Sequence, residues 1–379
     1  MQIPPVQSTK RILWIDLLRA YAILMMLQGH FIDTMLATPY RDFSNPIFGT
    51  WAFFRGITAP VFFFASGLIF VFLLLRDGRP FWQNQRVKKG LYRGVQLIAI
   101  GYLIRLNFFA LLTLHFHRAF IAVDVLQCIG LALLSVIGVY AFAKMTRLPL
   151  SLLLALAGLM AFYYSADVAK IDWSGLPLLL ENYFTKDHGS VFTPIPWIGY
   201  TLLGGAMGGW LYKNQAAAFG WKLPVFLLFT GIYLHYESTN VLYTLYIWTG
   251  LENLPDLFNN NYLIWHIGHI FIAIAAVIGI THLWKNIPAL PVRIGSETLL
   301  IYNVHFIVLY GTWFGIGISR FGKYSLSPWP CIIGAALFVL GFIVLIAYID
   351  PIREWVQQHI KAPVKAKMAA LWAASFQRL

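Results

Sequence analysis

The sequence is poor in charge and poorer still in acid. Of 379 residues, 11% are charged, with 15 Asp and Glu against 28 Lys and Arg. An ordinary soluble domain keeps about a quarter of its residues charged, so a freely soluble fold is excluded. Cysteine is nearly absent. Cys128 and Cys331 both lie inside apolar runs, which excludes a disulfide framework and a cysteine-based metal motif. There is no G-x-S-x-G elbow, no Walker loop and no H-E-x-x-H pair, so the usual signatures of serine hydrolases, nucleoside triphosphatases and zincins are missing. No cleavable signal is expected, because Asp16 and Arg19 interrupt the first apolar stretch and no small-residue cleavage site follows. Fixed-period repeats and low-complexity segments are missing too.

What fills the chain instead is hydrocarbon. Hydrophobic residues make up 59% and aromatics 17%, and the mean hydropathy is +0.68. That is the composition of a polytopic membrane protein with interfacial aromatic belts. Apolar runs recur at about 12–34, 57–76, 90–110, 121–143, 149–167, 196–213, 222–237, 261–284, 296–317 and 329–349. The expected fold is therefore all-α, a polytopic helix bundle of about ten transmembrane helices. It forms one integral-membrane domain over 1–379, with tails at 1–10 and 352–379. Val241–Gly250 (VLYTLYIWTG) is too short to span and reads as interfacial or re-entrant. With the N-terminus inside, 19 of the 28 Lys and Arg fall on the inner side, eight fall outside, and Arg19 lies within the membrane. The positive-inside rule then places both termini in the cytoplasm. The net charge of +13 is accounted for by these loops, so no nucleic-acid partner is expected.

The first apolar helix, RILWIDLLRAYAILMMLQGHFIDTML, carries Asp16, Arg19, His30 and Asp33. An ionised side chain at mid-membrane costs about 2.5–3.5 kcal/mol on insertion scales, so such residues usually face a polar interior. Arg19 and His30 are eleven residues apart, about three turns, which puts them on nearly one face roughly 16 Å apart. Asp33 follows His30 at i, i+3, a spacing that lets a carboxylate orient an imidazole. The functional reading makes His30 a general base tuned by Asp33, with Arg19 as an anion contact. The bland reading pairs Arg19 with Asp16 and uses Asp33 as a partner for His30 in packing.

Other clusters also read two ways. The inner loop RDGRPFWQNQRVKKGLYR gathers Arg86, Lys88, Lys89 and Arg93 beside aromatic residues. It suits anionic lipid under the positive-inside rule, or the phosphates and base of a nucleotide-like cofactor. Asp124, in VDVLQCIG with Gln127, is a helix N-cap or a site residue. In SETLLIYNVH, Ser296 can cap a helix with Glu297 in its first turn. His305 lies deep in an apolar run, as a packing residue or a functional one. His266 and His269 have metal-ligand residue types without a carboxylate or cysteine nearby, and no metal site is expected.

Five blocks, RILWIDLLRAYAILMMLQGH, FFRGITAPVFFFASGLIF, FIAVDVLQCIGLALL, PIPWIGYTLLGGAMGGWLY and IGSETLLIYNVHFIV, come in an order that resembles bacterial relatives of heparan-α-glucosaminide N-acetyltransferase. That group is similar to the acyltransferase-three sugar O-acetylases within the transmembrane acyltransferase superfamily. Arg19-x10-His30 matches the basic-x10-His spacing of the O-acetylases. The lysosomal enzyme's active-site histidine lies in the first loop, where this chain offers only polar residues such as Asp33, Arg41 and Asp42. The resemblance implies a bacterial inner-membrane acetyltransferase that uses cytoplasmic acetyl-CoA and an extracytoplasmic glycan acceptor, among membrane lipids. On that reading His30 and Asp33 are catalytic. Arg19, Arg86, Lys88, Lys89 and Arg93 hold the cofactor, and Arg55, Asp124, Gln127, Trp197 and His305 meet the acceptor. The alternatives are a transporter or flippase for a polar or anionic solute, and a membrane scaffold whose buried charges only fix packing.

Overall fold

Helix starts in this chain are written by short polar side chains placed just before apolar runs. The structure, a computed structural model, describes residues 12–284, 286–363 and 368. The tail 1–10 and nearly all of the basic tail beyond 363 lie outside the described residues. The first helix, α1, is Leu13–Met35. Asn45 opens α2 (Pro46–Arg76) by accepting from the backbone of Ile47 and Phe48, with Pro46 at the position where a missing N–H costs nothing. Asn84 opens α3 (Gln85–Leu103) in the same way, and its amide nitrogen also donates to Leu74 O at 3.1 Å, tying the end of α2 to the start of α3. Asp124 and Gln127 form a capping box at the head of α4 (Val125–Thr146). Then come α5 (Leu150–Tyr163), α6 (Pro194–Lys213), α7 (Lys222–Thr249) and α8 (Tyr262–Leu283). The chain closes with α9 (Ala289–Ser296), α10 (Thr298–His305), α11 (Pro328–Ala347) and α12 (Ile349–Val356).

The fold is all-helical, with no named strand among the described residues. Five of its described helices are long and apolar enough to cross a membrane, and six if the bent pair α9–α10 makes one span. Two local expectations are corrected. Val241–Gly250 is not a separate re-entrant piece. It is the last third of the continuous helix α7, because the polar ESTN stretch before it holds neither proline nor glycine, and the helix runs on until Gly250 ends it at φ 65°. The run 296–317 is not one straight helix. Residues Ala289–Ser296 and Thr298–Tyr310 meet at 67°, and the helix stops where Gly311 turns left-handed at φ 70°. Glu297, at the bend, binds both guanidinium nitrogens of Arg353 at 2.8 and 2.7 Å. Ser296 does not cap α10; its hydroxyl donates back to Arg293 O at 2.8 Å.

α1 is surrounded. It packs against α2, α8, α9, α10 and α11, and Leu18, Ala22, Ile23 and Leu27 are fully buried. Close helix approach elsewhere is set by small residues. A Cβ on Gly67 of α2 would sit 1.8 Å from Thr201 O, and one on Gly204 of α6 would sit 2.0 Å from Phe64 O. In an apolar solvent, where hydrophobic burial does not drive helix pairing, such backbone contact is what holds two helices together.

Candidate active site in the helix bundle

A cavity of about 880 Å³ runs alongside α1. Arg19, Met26, Gly29 and His30 of α1 line it, as do Arg55 to Leu73 of α2, Arg93 and Leu97 of α3, and Asp124 to Leu133 around the head of α4. The last wall comes from Thr298 and Tyr302 of α10 and from the segment Phe306–Gly315. Arg19 and Arg93 mark one end. His30, Arg55, Arg105, Asp124 and Tyr310 mark the other. The helical rise sets Arg19 and His30 about 16 Å apart along the axis. Between them the wall is largely apolar, with Met26, Ile69, Phe70, Leu97 and Leu133.

At its end of the cavity, Arg19 donates to the Thr298 hydroxyl at 2.8 Å. At the far end, His30 places Nδ1 2.8 Å from the Tyr310 hydroxyl, with the two rings edge to face at 6.1 Å. The His305 ring lies 5.2 Å from that of His30 and is fully buried behind it. Asp33 forms an ion pair with Arg55. This corrects the expectation that Asp33 orients His30. A guanidinium reaching over from α2 outcompetes a neutral imidazole for the carboxylate, and Tyr310 takes the imidazole nitrogen. Arg55 reaches that position because residue 29 is glycine: a Cβ there would stand 3.3 Å from Arg55 Cγ. Arg41 secures the C-terminal end of α1 by donating to Asp33 O at 2.5 Å and Leu36 O at 2.9 Å.

A second ion pair joins Arg105 and Asp124 at 2.6 Å. Asp124 therefore does both things read from the sequence: it caps α4 through Val125 N at 2.8 Å and it lines the cavity. Gln127 does not line it. Its amide is spent on Asp124 N and Ala122 O, and it is fully buried, so it is a capping residue and not an acceptor contact. Trp197 packs among Phe63, Phe192 and Tyr200, away from the cavity wall. His305 stands behind His30, not on the wall. Of the basic loop, Arg93 alone of the four candidates lines the cavity. Arg86, Lys88 and Lys89 are exposed at the first turns of α3. Nearby, Arg79 binds Asp77 at 2.5 Å and holds that carboxyl below its usual range.

Tyr310, Arg105, Asn107 and Thr298 were not singled out in the sequence. The signal for Tyr310 was the glycine cluster GTWFGIG after it, which ends a helix and lets the chain fold back. That coil is fastened to the α3 end. Trp313 N donates to Leu106 O at 3.1 Å, Phe108 N donates to Trp313 O at 2.8 Å, and the indole donates to Leu103 O at 2.9 Å. Trp313 itself has φ 76°, a conformation bulky residues rarely adopt and one that concentrates at functional sites.

His266 and His269 meet a third histidine. His235 Nδ1 lies 2.9 Å from His269 Nε2, with Trp265 stacked on His235 at 5.3 Å. Among the described residues, no group of three or more His, Cys, Asp or Glu is arranged to hold a metal ion.

An apolar helical bundle with a charged cavity inside it defines an integral-membrane protein that handles a polar ligand. Residues 11–247 match the family model described as heparan-alpha-glucosaminide N-acetyltransferase, catalytic, and the chain belongs to that family of membrane acetyltransferases. No curated protein matches it. The matched region ends before α10, so Thr298, Tyr302, His305 and Tyr310 lie beyond it.

Proposed function

We propose that this protein transfers an acetyl group from cytoplasmic acetyl-CoA to an amine or hydroxyl of an extracytoplasmic sugar. The observation that carries this reading is the single cavity joining Arg19 and Arg93 at one end to His30 at the other. Its volume lies in the range of small-molecule sites. The forked donors of Arg19 and Arg93 suit phosphate, and the apolar middle suits a narrow, uncharged arm such as pantetheine. The family supports acetyl transfer. In this proposal about ten helices span a bacterial inner membrane, both termini are cytoplasmic, and the exposed Arg86, Lys88 and Lys89 meet anionic lipid headgroups.

His30 acts as general base. With Nδ1–H donated to the Tyr310 oxygen, Nε2 is left to take the proton from the acceptor's N–H or O–H as that atom attacks the thioester carbonyl. The C–S bond breaks, and His30 returns the proton to the departing thiolate. Arg55, held by Asp33, and Asp124, held by Arg105, present fixed charges where the acceptor would sit. Asp33 thus acts through Arg55.

The test is acetyl-CoA binding and turnover by the detergent-solubilised protein. Arg19→Ala weakens binding. His30→Ala leaves binding intact and lowers transfer by about 10²–10⁴-fold. A folded protein that binds no acetyl-CoA, or a His30→Ala variant with full transfer, overturns the reading. Solute flux without CoA consumption would favour a transporter.

A further inference from the structure

We propose that the outer loops carry a second, carbohydrate-binding pocket that holds a distal sugar of the acceptor chain. This rests on the acetyl-transfer reading above. The pocket measures about 630 Å³ and lies between Arg118, which precedes α4, and residues 169–188, which precede α6. Its lining is not of one sign. Asp172, Glu181 and Asp187 supply carboxylates, Arg118 a guanidinium and His188 an imidazole. A set of donors and acceptors alternating around one hollow is poorly matched to a simple cation or anion. It is well matched to a polyhydroxylated ring, each hydroxyl of which both donates and accepts.

The pocket is built rather than incidental. Glu181 is 9% exposed, and one of its oxygens is bonded to His188 Nε2 at 3.0 Å. Trp173 lines the wall. Its indole nitrogen is fixed to Val168 O at 3.0 Å, and its ring stacks on Phe184 at 4.2 Å with 18° between planes. A large rigid ring beside carboxylates offers an apolar face and a polar rim together. The Ser174 backbone N–H donates to Asp172 at 3.0 Å, which lowers that carboxyl's pKa and keeps it ionised.

The same loops form the rim of the main cavity. Asn182, next to Glu181, donates to Ile121 O at 2.9 Å. Val123 N donates to the Ser190 hydroxyl at 3.0 Å, and Val191 N donates to Val123 O at 3.0 Å. Asp124 and Val191 then line the cavity holding His30. Six residues of chain separate Arg118 from Asp124. One acceptor chain can therefore occupy both places, with its reacting end at His30 and a further sugar in the outer pocket.

The experiment compares binding of glucosamine and of its β-1,4-linked tetramer to the full-length protein in detergent. Variants are Asp172→Asn with Asp187→Asn, and separately Arg118→Ala; all three side chains are exposed, and the thermal unfolding midpoint checks folding. The wild type is expected to bind the tetramer about tenfold more tightly than the monomer, and the variants to lose that advantage. Equal affinity for the two sugars, or variants that keep the full preference, overturns the pocket. A wild type with a variant-sensitive tetramer preference but no acetyl transfer to either sugar supports the pocket and removes the acetyl-transfer reading instead.

Discussion

Replacing Tyr310 with phenylalanine deletes one hydroxyl and keeps the ring that packs edge to face on His30. The lost contact is the 2.8 Å hydrogen bond to Nδ1. A neutral hydrogen bond contributes about 0.5–1.5 kcal/mol net. If it is needed to hold the imidazole in the tautomer with Nε2 free, the same energy appears in the barrier, and kcat falls about 2- to 13-fold. That is well short of the about 10²–10⁴-fold expected from His30→Ala, because the base remains and only its orientation is loosened. The donor contacts Arg19 and Arg93 stand at the other end of the cavity, so KM for acetyl-CoA is expected to stay put. The assay is transfer of labelled acetyl from acetyl-CoA to an amino-sugar acceptor in detergent, with kcat and KM separated. Asp33→Asn is the comparison. Since Asp33 binds Arg55, its loss should raise acceptor KM more than it lowers kcat. The reasoning is refuted if Tyr310→Phe retains full kcat while Asp33→Asn loses it, for then the carboxylate and not the phenol orients the base.

Arg93→Ala should raise KM for acetyl-CoA with little change in kcat, since it removes binding felt equally in ground and transition states; steady-state kinetics check this. Gly67→Val should lower the thermal unfolding midpoint in detergent, because even a Cβ meets Thr201 O at 1.8 Å and overpacking costs about 1–3 kcal/mol or more. Cys128 and Cys331 are buried and free, so a thiol reagent is expected to leave both unmodified in the folded protein and to label both after denaturation. Mass spectrometry distinguishes these states.

Much of the molecule was legible in the residues. The apolar runs announce helices because a chain in hydrocarbon must satisfy its own backbone. Asn45, Asn84 and Asp124 mark helix starts because their side chains are the right length to take up free N–H groups. The one-face placement of Arg19 and His30 follows from helical period. These are local properties, decided within a few residues of each other. Even there, VLYTLYIWTG misled, since its length suggested a separate piece when the helix before it had no reason to stop.

Partnership could not be read that way. Asp33 stands one turn from His30 in sequence, yet its partner is Arg55, admitted by the missing side chain at Gly29. The partner of His30 is Tyr310, 280 residues on, brought there by a bend at Glu297 and a glycine stop at Gly311. Composition and periodicity determined that this chain is a helical membrane protein with polar residues along its first helix. Tertiary structure alone decided which carboxylate meets which cation and which hydroxyl meets the imidazole, because such contacts depend on where separate helices cross.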